Sequence, residues 1–150
     1  MSDQNRKIAL AADHAGFALK QALKSWLEDH GYQVSDLGTD SADSVDYPDY
    51  GDKLGRAISD GEAETGIAIC GSGIGISIAA NRFPAVRSAL CRDADDAMMA
   101  RKHNNANVLS LGARKTNAET ALEIMQSFLS TEFEGGRHAR RVKKLGGCGQ

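Results

Sequence analysis

Hydrophobic and polar positions along this chain fall into two kinds of block that alternate. Lys7 to Ala12 is a short apolar run that ends at polar Asp13 and His14. Beyond Gly16, the residues Leu19, Leu23, Trp26 and Leu27 recur at helical spacing as far as His30, and Gly31 supplies a stop. This predicts a strand, a turn and a helix. Gln33 to Asp36 reads as a second strand, followed by a polar loop from Leu37 to Asp46. Pro48 suits the first turn of a helix that carries Tyr50, Leu54, Ala57 and Ile58 on one side and ends near Gly61. Gly66 to Cys70 reads as a buried strand, Gly71 to Gly75 as a tight turn, and the next helix ends near Asn81. Arg87 to Cys91 is the fourth strand, Asp93 caps a helix toward His103, and Val108 to Leu111 is the fifth strand. A helix from Asn117 to Leu129 follows, and a basic helix comes after Gly135 and Gly136. The tail Gly146 to Gln150 is expected to fray.

Strands alternating with helices at this spacing predict a parallel sheet covered on both faces, a three-layer α/β/α sandwich with five strands and a C-terminal helix. Ligands of such Rossmann-like sheets bind beyond the carboxyl ends of the strands, where Asp13, His14, Cys70 and the glycine turn fall. A length of 150 residues suits a single domain over 1–150. The apolar run Ile74 to Ala80 is interrupted by Gly75 and Ser77 and is far too short for a bilayer span, so no membrane role is expected. Met1 to Arg6 is polar, which points to the cytoplasm. Cys70, Cys91 and Cys148 lack the spacing of a disulfide framework or zinc site and are read as reduced thiols. A formal net charge of -2 gives no overall pull toward nucleic acid.

Chemistry concentrates at Cys70-Gly71-Ser72-Gly73-Ile74-Gly75, where several main-chain N–H groups can converge at the start of a helix as an anion site. Alternate glycines without a following Gly-Lys-Ser/Thr exclude the dinucleotide and nucleoside-triphosphate fingerprints. The same donors favour thiolate over thiol, which makes Cys70 a candidate base or nucleophile. Cys91 has no such turn beside it and reads as a small buried residue. In the last helix Arg137, His138 and Arg141 are spaced to share a face as a phosphate clamp, although a solvated basic surface has the same spacing. Asp13 and His14 suit either acid–base work or a helix cap, and His103, Asn104 and Arg114 are individually weak signals.

Taken together, the residues resemble the ribose-5-phosphate isomerase B family, which includes allose-6-phosphate isomerase and galactose-6-phosphate isomerase subunits. The resemblance is carried by Ala12-Asp13-His14-Ala15-Gly16-Phe17, by Asp46-Tyr47-Pro48, and by Cys70 to Asn81. It continues in Arg101-Lys102-His103-Asn104, Asn107-Val108-Leu109 and Phe133-Glu134-Gly135-Gly136-Arg137-His138. It implies a sheet order of 2-1-3-5-4 and aldose–ketose isomerisation without metal or other cofactor. Cys70 would be the base, the amides of Gly71, Ser72, Gly73, Ile74 and Gly75 would bind the developing oxyanion, and Ser72 would sit beside them. His103 would open the furanose ring with Asp13 nearby, while His14, Arg137 and Arg141 would hold phosphate and Asn104 and Arg114 would contact ligand. Another branch of the family uses a glutamate base where this chain has Ile76, so the thiolate variant is expected. The resemblance also implies a homodimer or dimer of dimers in which His103 and Asn104 reach the partner's pocket. Three other readings stay open: a hexose-6-phosphate isomerase with a longer pocket, a noncatalytic phosphate-ligand module, and a nucleic-acid-binding protein that uses its basic helix. The third is weakened because no aromatic residues interleave the basic positions.

Overall fold

The computed structural model describes residues 6–146. Five strands, β1 (Lys7–Ala12), β2 (Gln33–Gly38), β3 (Thr65–Cys70), β4 (Ser88–Leu90) and β5 (Val108–Gly112), form one all-parallel sheet in the order β2-β1-β3-β5-β4. Six helices accompany them: α1 (Phe17–Asp29), α2 (Tyr47–Ser59), α3 (Ile74–Ala80), α4 (Ala94–Asn104), α5 (Ala118–Ser130) and α6 (Arg137–Gly146). The α/β architecture and the strand order agree with expectation. β3 and β5 are each one residue longer than expected, and two strands differ more. β2 continues through Gly38, with a register irregularity between Leu10 and Ala11 of its neighbour, and β4 shrinks to three residues at an edge of the sheet.

Alternation along the strands gives the two faces different textures. Ile8, Leu10, Ile67, Ile69, Leu109 and Leu111 join Leu23 and Leu27 of α1 and Ile124, Met125 and Phe128 of α5 in one core layer. Each such fully buried side chain contributes about 2 kcal/mol. The opposite face presents Ala9, Ala11, Ala68 and Cys70, small residues that let α2 and α3 pack close through Leu54, Ala57, Ile76 and Ala80. Cys70 therefore belongs to the small-residue face.

Helix ends follow side-chain chemistry. Asp93 accepts from the Asp96 N–H at 2.7 Å to start α4, and Asn117 accepts from the Thr120 N–H at 2.8 Å to start α5. Because β4 and β5 are parallel, α4 must run back against them, from the carboxyl end of the sheet to its amino end. Asn105, in the left-handed conformation, closes α4 there. No helix among the described residues is long and apolar enough to cross a membrane. The expectations for Cys148 and for the tail beyond Gly146 lie outside the described residues.

Candidate active site

β1 and β3 are neighbours whose connections leave in opposite directions, so a crevice opens between their carboxyl ends. Asp13 follows β1, and its N–H donates to Ile69 O at 3.2 Å, which places it beside the end of β3. Its buried carboxylate accepts from the Gly16 N–H at 3.2 Å and caps a short 3-10 turn, His14–Gly16. His14 is half-buried, and its Nδ1 accepts from the Val45 N–H at 3.1 Å. That bond uses the Nδ1 lone pair, so the neutral ring carries its proton on Nε2.

Cys70 is 4% exposed, and the Gly73 N–H donates to its Sγ at 3.2 Å. Gly73 reaches this position with φ at 79°, and a Cβ there would meet Leu90, Leu111 and Gly112 at 2.6 to 2.9 Å. Glycine is required on both counts. The Ser72 Oγ accepts from the Ile74 N–H at 3.1 Å, which leaves its hydroxyl proton available. The turn is tied to the end of β5, since the Ala113 N–H donates to Cys70 O and the Arg114 N–H to Gly71 O, both at 2.9 Å. Arg114 also folds over the turn: a Cβ on Gly71 would lie 2.9 Å from its Nη1. Tyr47, 42% exposed, packs against Gly75 from the start of α2. Sulfur, main-chain donors, a hydroxyl and a guanidinium thus meet at one strand end.

The remaining candidates form a second cluster. His103 and Asn104 end α4, and the Glu134 N–H donates to Lys102 O at 3.1 Å, which brings the start of α6 to that same place. His138 is 7% exposed and stacks on His103, with ring centroids 4.4 Å apart and an interplanar angle of 17°. Its Nε2 lies 3.7 Å from Glu134 Oε1 and is buried without a hydrogen-bond partner among the described residues. Burial pushes the His138 imidazole below its usual range, and His103, Arg137 and Arg141 add to this while Glu134 opposes it. A cavity of about 290 Å³ is bounded by His103, Asn104, His138, Arg141, Val142 and Leu145. Arg137 is exposed and does not line that cavity. Burial turns His138 inward against His103, and only Arg141 accompanies it along the cavity.

His103, Glu134 and His138 offer ligand atoms within 4.8 Å of one another, a possible metal set by composition. Stacked, nearly parallel rings aim their lone pairs side by side, however, rather than at one point about 2 Å from each nitrogen. The trio is not preformed for zinc. The two clusters also lie apart within one chain. Cys70 is at the carboxyl end of β3, whereas α4 delivers His103 to the amino end of the sheet, about 20 Å away by the length of a strand.

Fold and site together define a doubly wound α/β protein with a thiol and a glycine-rich turn at its topological switch point. A family model described as Ribose/Galactose Isomerase matches residues 8–145, and the chain belongs to that family. It is 42% identical to the Escherichia coli protein named ribose-5-phosphate isomerase B, over 93% of this chain and 94% of that one. A solved Clostridium thermocellum ribose-5-phosphate isomerase B superposes with a TM-score of 0.94 at 48% identity, covering 95% of this chain and 97% of that one. A Pectobacterium atrosepticum protein named D-erythrulose-4-phosphate isomerase is 43% identical, over 93% of this chain and 92% of that one. Relatives at similar distance thus carry names for different sugar phosphates.

Sequence reasoning missed the stacking of His138 on His103 and the part played by Glu134. The spacing of Glu134 and His138, four residues apart, was the available signal.

Proposed function

We propose that this chain is an aldose–ketose isomerase that interconverts ribose 5-phosphate and ribulose 5-phosphate, acting as one isomerase domain in a cytoplasmic assembly of at least two copies. The observation that carries the reading is the Gly73 N–H directed at Cys70 Sγ in a buried turn at the switch point. A sulfur so held is fixed in position at the mouth of the switch-point crevice, as a base must be.

In this mechanism the Cys70 thiolate removes the proton from C2 of the open aldose, and the C2 electron pair forms the C1–C2 double bond of an enediolate. The thiol returns the proton to C1 as the ketone forms at C2. Free N–H groups of the 71–75 turn and Arg114 bind the oxyanion charge, which is where donors fixed in advance help most. Ser72 passes a proton between O1 and O2. His103 opens the ring by moving a proton between the ring oxygen and the anomeric hydroxyl, with Asp13 near the reacting end. His14, through Nε2, and Arg137 and Arg141 hold the phosphate, whose remote binding energy fixes the reacting carbons. Asn104 contacts the sugar. Every step is proton transfer, so it consumes no oxidant or reductant.

The separation of the two clusters within one chain supports a site completed by a second copy. Cys70 of one protomer would meet His103, Asn104 and the arginines of its partner. A symmetric dimer would then contain two such sites.

Side-by-side turnover on ribose 5-phosphate, allose 6-phosphate and D-erythrulose 4-phosphate tests the reading. The expected result is the highest kcat/KM on ribose 5-phosphate. A preference for the four-carbon sugar would reassign the substrate, a possibility that the Pectobacterium relative keeps specific. No turnover on any of them would leave a phosphate-ligand module.

A further inference from the structure

A second concave surface, at the amino ends of the strands, is built from arginines that the isomerase reading leaves unused. Arg6 precedes β1, Arg87 precedes β4 and Arg101 lies in the last turn of α4; with Thr65, Asn105 and Asn107 they line a cavity of about 340 Å³. It shares no lining residue with the cavity bounded by His103 and Arg141.

Main-chain carbonyls at chain and helix ends pin each guanidinium. Arg6 Nη1 donates to Leu129 O at 3.0 Å, and Arg87 Nε donates to Asn105 O at 2.8 Å. Arg101 donates through Nε to Thr131 O at 3.0 Å and through Nη1 to Ala106 O at 2.6 Å, with its guanidinium 5.8 Å from the centre of the Phe128 ring. Closing the carboxyl ends of α4 and α5 accounts for these contacts. It leaves other donors unexplained. Both Nη atoms of Arg87 and the Nη2 of Arg101 make no hydrogen bond among the described residues, and neither side chain forms an ion pair there.

Charge points the same way. Among the described residues, exposed Glu64 is the one carboxylate on the wall that Arg87 and Arg101 share. Burial holds the Arg87 guanidinium below its usual range; burial, then Arg6 and Arg87, do the same for Arg101, partly offset by Glu132. Arg87 and Arg101, without an ion pair among the described residues, are stabilised by an anion, and forks fixed beforehand lose little freedom on binding one.

We propose that this cavity is a second anion site, taking a small dianion of the phosphate class on the free Nη groups of Arg87 and Arg101. Free phosphate and a phosphate monoester share the recognised group.

The test measures the rise in melting temperature produced by inorganic phosphate over chloride at matched ionic strength. A chain carrying R137Q and R141Q, which disable the clamp proposed for the substrate, should still be stabilised by phosphate. Adding R87Q to that background should weaken the apparent affinity about tenfold or more, as loss of a charge-assisted pair does. Adding E64Q instead, an exposed change that threatens no fold, should tighten it several-fold. A parallel titration with glycerol phosphate identifies the source: equal stabilisation indicates that only the phosphoryl group is held, and stronger stabilisation indicates that the cavity also holds the attached carbon skeleton. Absence of any phosphate-specific stabilisation in the R137Q/R141Q chain would overturn the proposal. So would an affinity unmoved by E64Q.

Discussion

Cys70 and Cys91 are two buried thiols near the carboxyl ends of strands, and their sulfurs have different neighbours. Cys70 is followed by a glycine turn that folds the Gly73 N–H back onto the sulfur at 3.2 Å. Cys91 is followed by an acidic helix start; burial, Asp96 and Asp93 together push its thiol up to about 12, and its Sγ donates to Ala89 O at 3.6 Å. Burial alone makes a thiol inert, because desolvation penalises the charged form. What distinguishes Cys70 is a main-chain donor on its sulfur, and the donor is there only because glycine permits the turn. The proposed base and the inert thiol thus differ in the loop that follows each cysteine.

The contrast can be broken most directly at Cys70 itself. C70A should lower turnover on ribose 5-phosphate by about a hundredfold or more, as loss of a positioned base does, while phosphate still binds. Near-normal turnover would remove the base assignment.

The next largest effect sharpens the comparison between subunits. H103N should be severely impaired on cyclic substrate and much less so on an open-chain analogue. Mixing C70A with H103N and allowing the protomers to exchange should restore about a quarter of wild-type turnover, since half of the random pairs are mixed and each mixed pair holds one intact site. No recovery after demonstrated exchange would place both residues in one subunit's site.

Neutralising the phosphate clamp comes third. R141Q should raise KM by about tenfold or more with a smaller change in kcat, because a charge-assisted contact to phosphate is worth about 1.5 to 3 kcal/mol. R137Q should do less within one site, given that Arg137 stands outside the cavity wall. The reverse ranking in steady-state kinetics would contradict that placement.

The smallest effect belongs to Cys91. C91A should keep turnover within about twofold, and iodoacetamide near pH 8 should spare Cys91 in the folded protein. The sign of its pH effect follows from the raised value. In the folded chain the thiol holds its proton to about 12, whereas the unfolded thiol releases it near 9. Its contribution to stability is therefore full below about pH 9 and lost as the pH climbs toward 12. Denaturant titrations should show this alkaline loss reduced in C91A, and an unchanged slope would refute the assignment.

Much of this was legible along the chain. Alternating apolar blocks gave the elements in order, and Asp93 marked a helix start through a side-chain oxygen that accepts from the third residue onward; the same role of Asn117 emerged only in the structure. The cradle at Cys70 was equally legible, because turn geometry and glycine spacing act within six consecutive residues. β4 was overextended by one residue at each end: Arg87 and Cys91 each keep a main-chain hydrogen bond to the β5 side, but the parallel ladder itself pairs only Ser88 to Leu90 with Val108 to Ser110. The face shared by Arg137, His138 and Arg141 was drawn from spacing alone. Spacing fixes direction around a helix but not which direction is buried, and burial went to His138.

The amino-acid order by itself determined the α/β alternation, the small-residue strand face and the local nest around one sulfur, since each depends on residues close in the chain. Only the tertiary structure decided that His103 stands at the opposite end of the sheet from Cys70, with His138 buried against it. The reason is geometric: a parallel sheet sends each connecting helix backward, so residues at the end of a strand and at the end of a later helix are parted by the thickness of the fold, however well their motifs match.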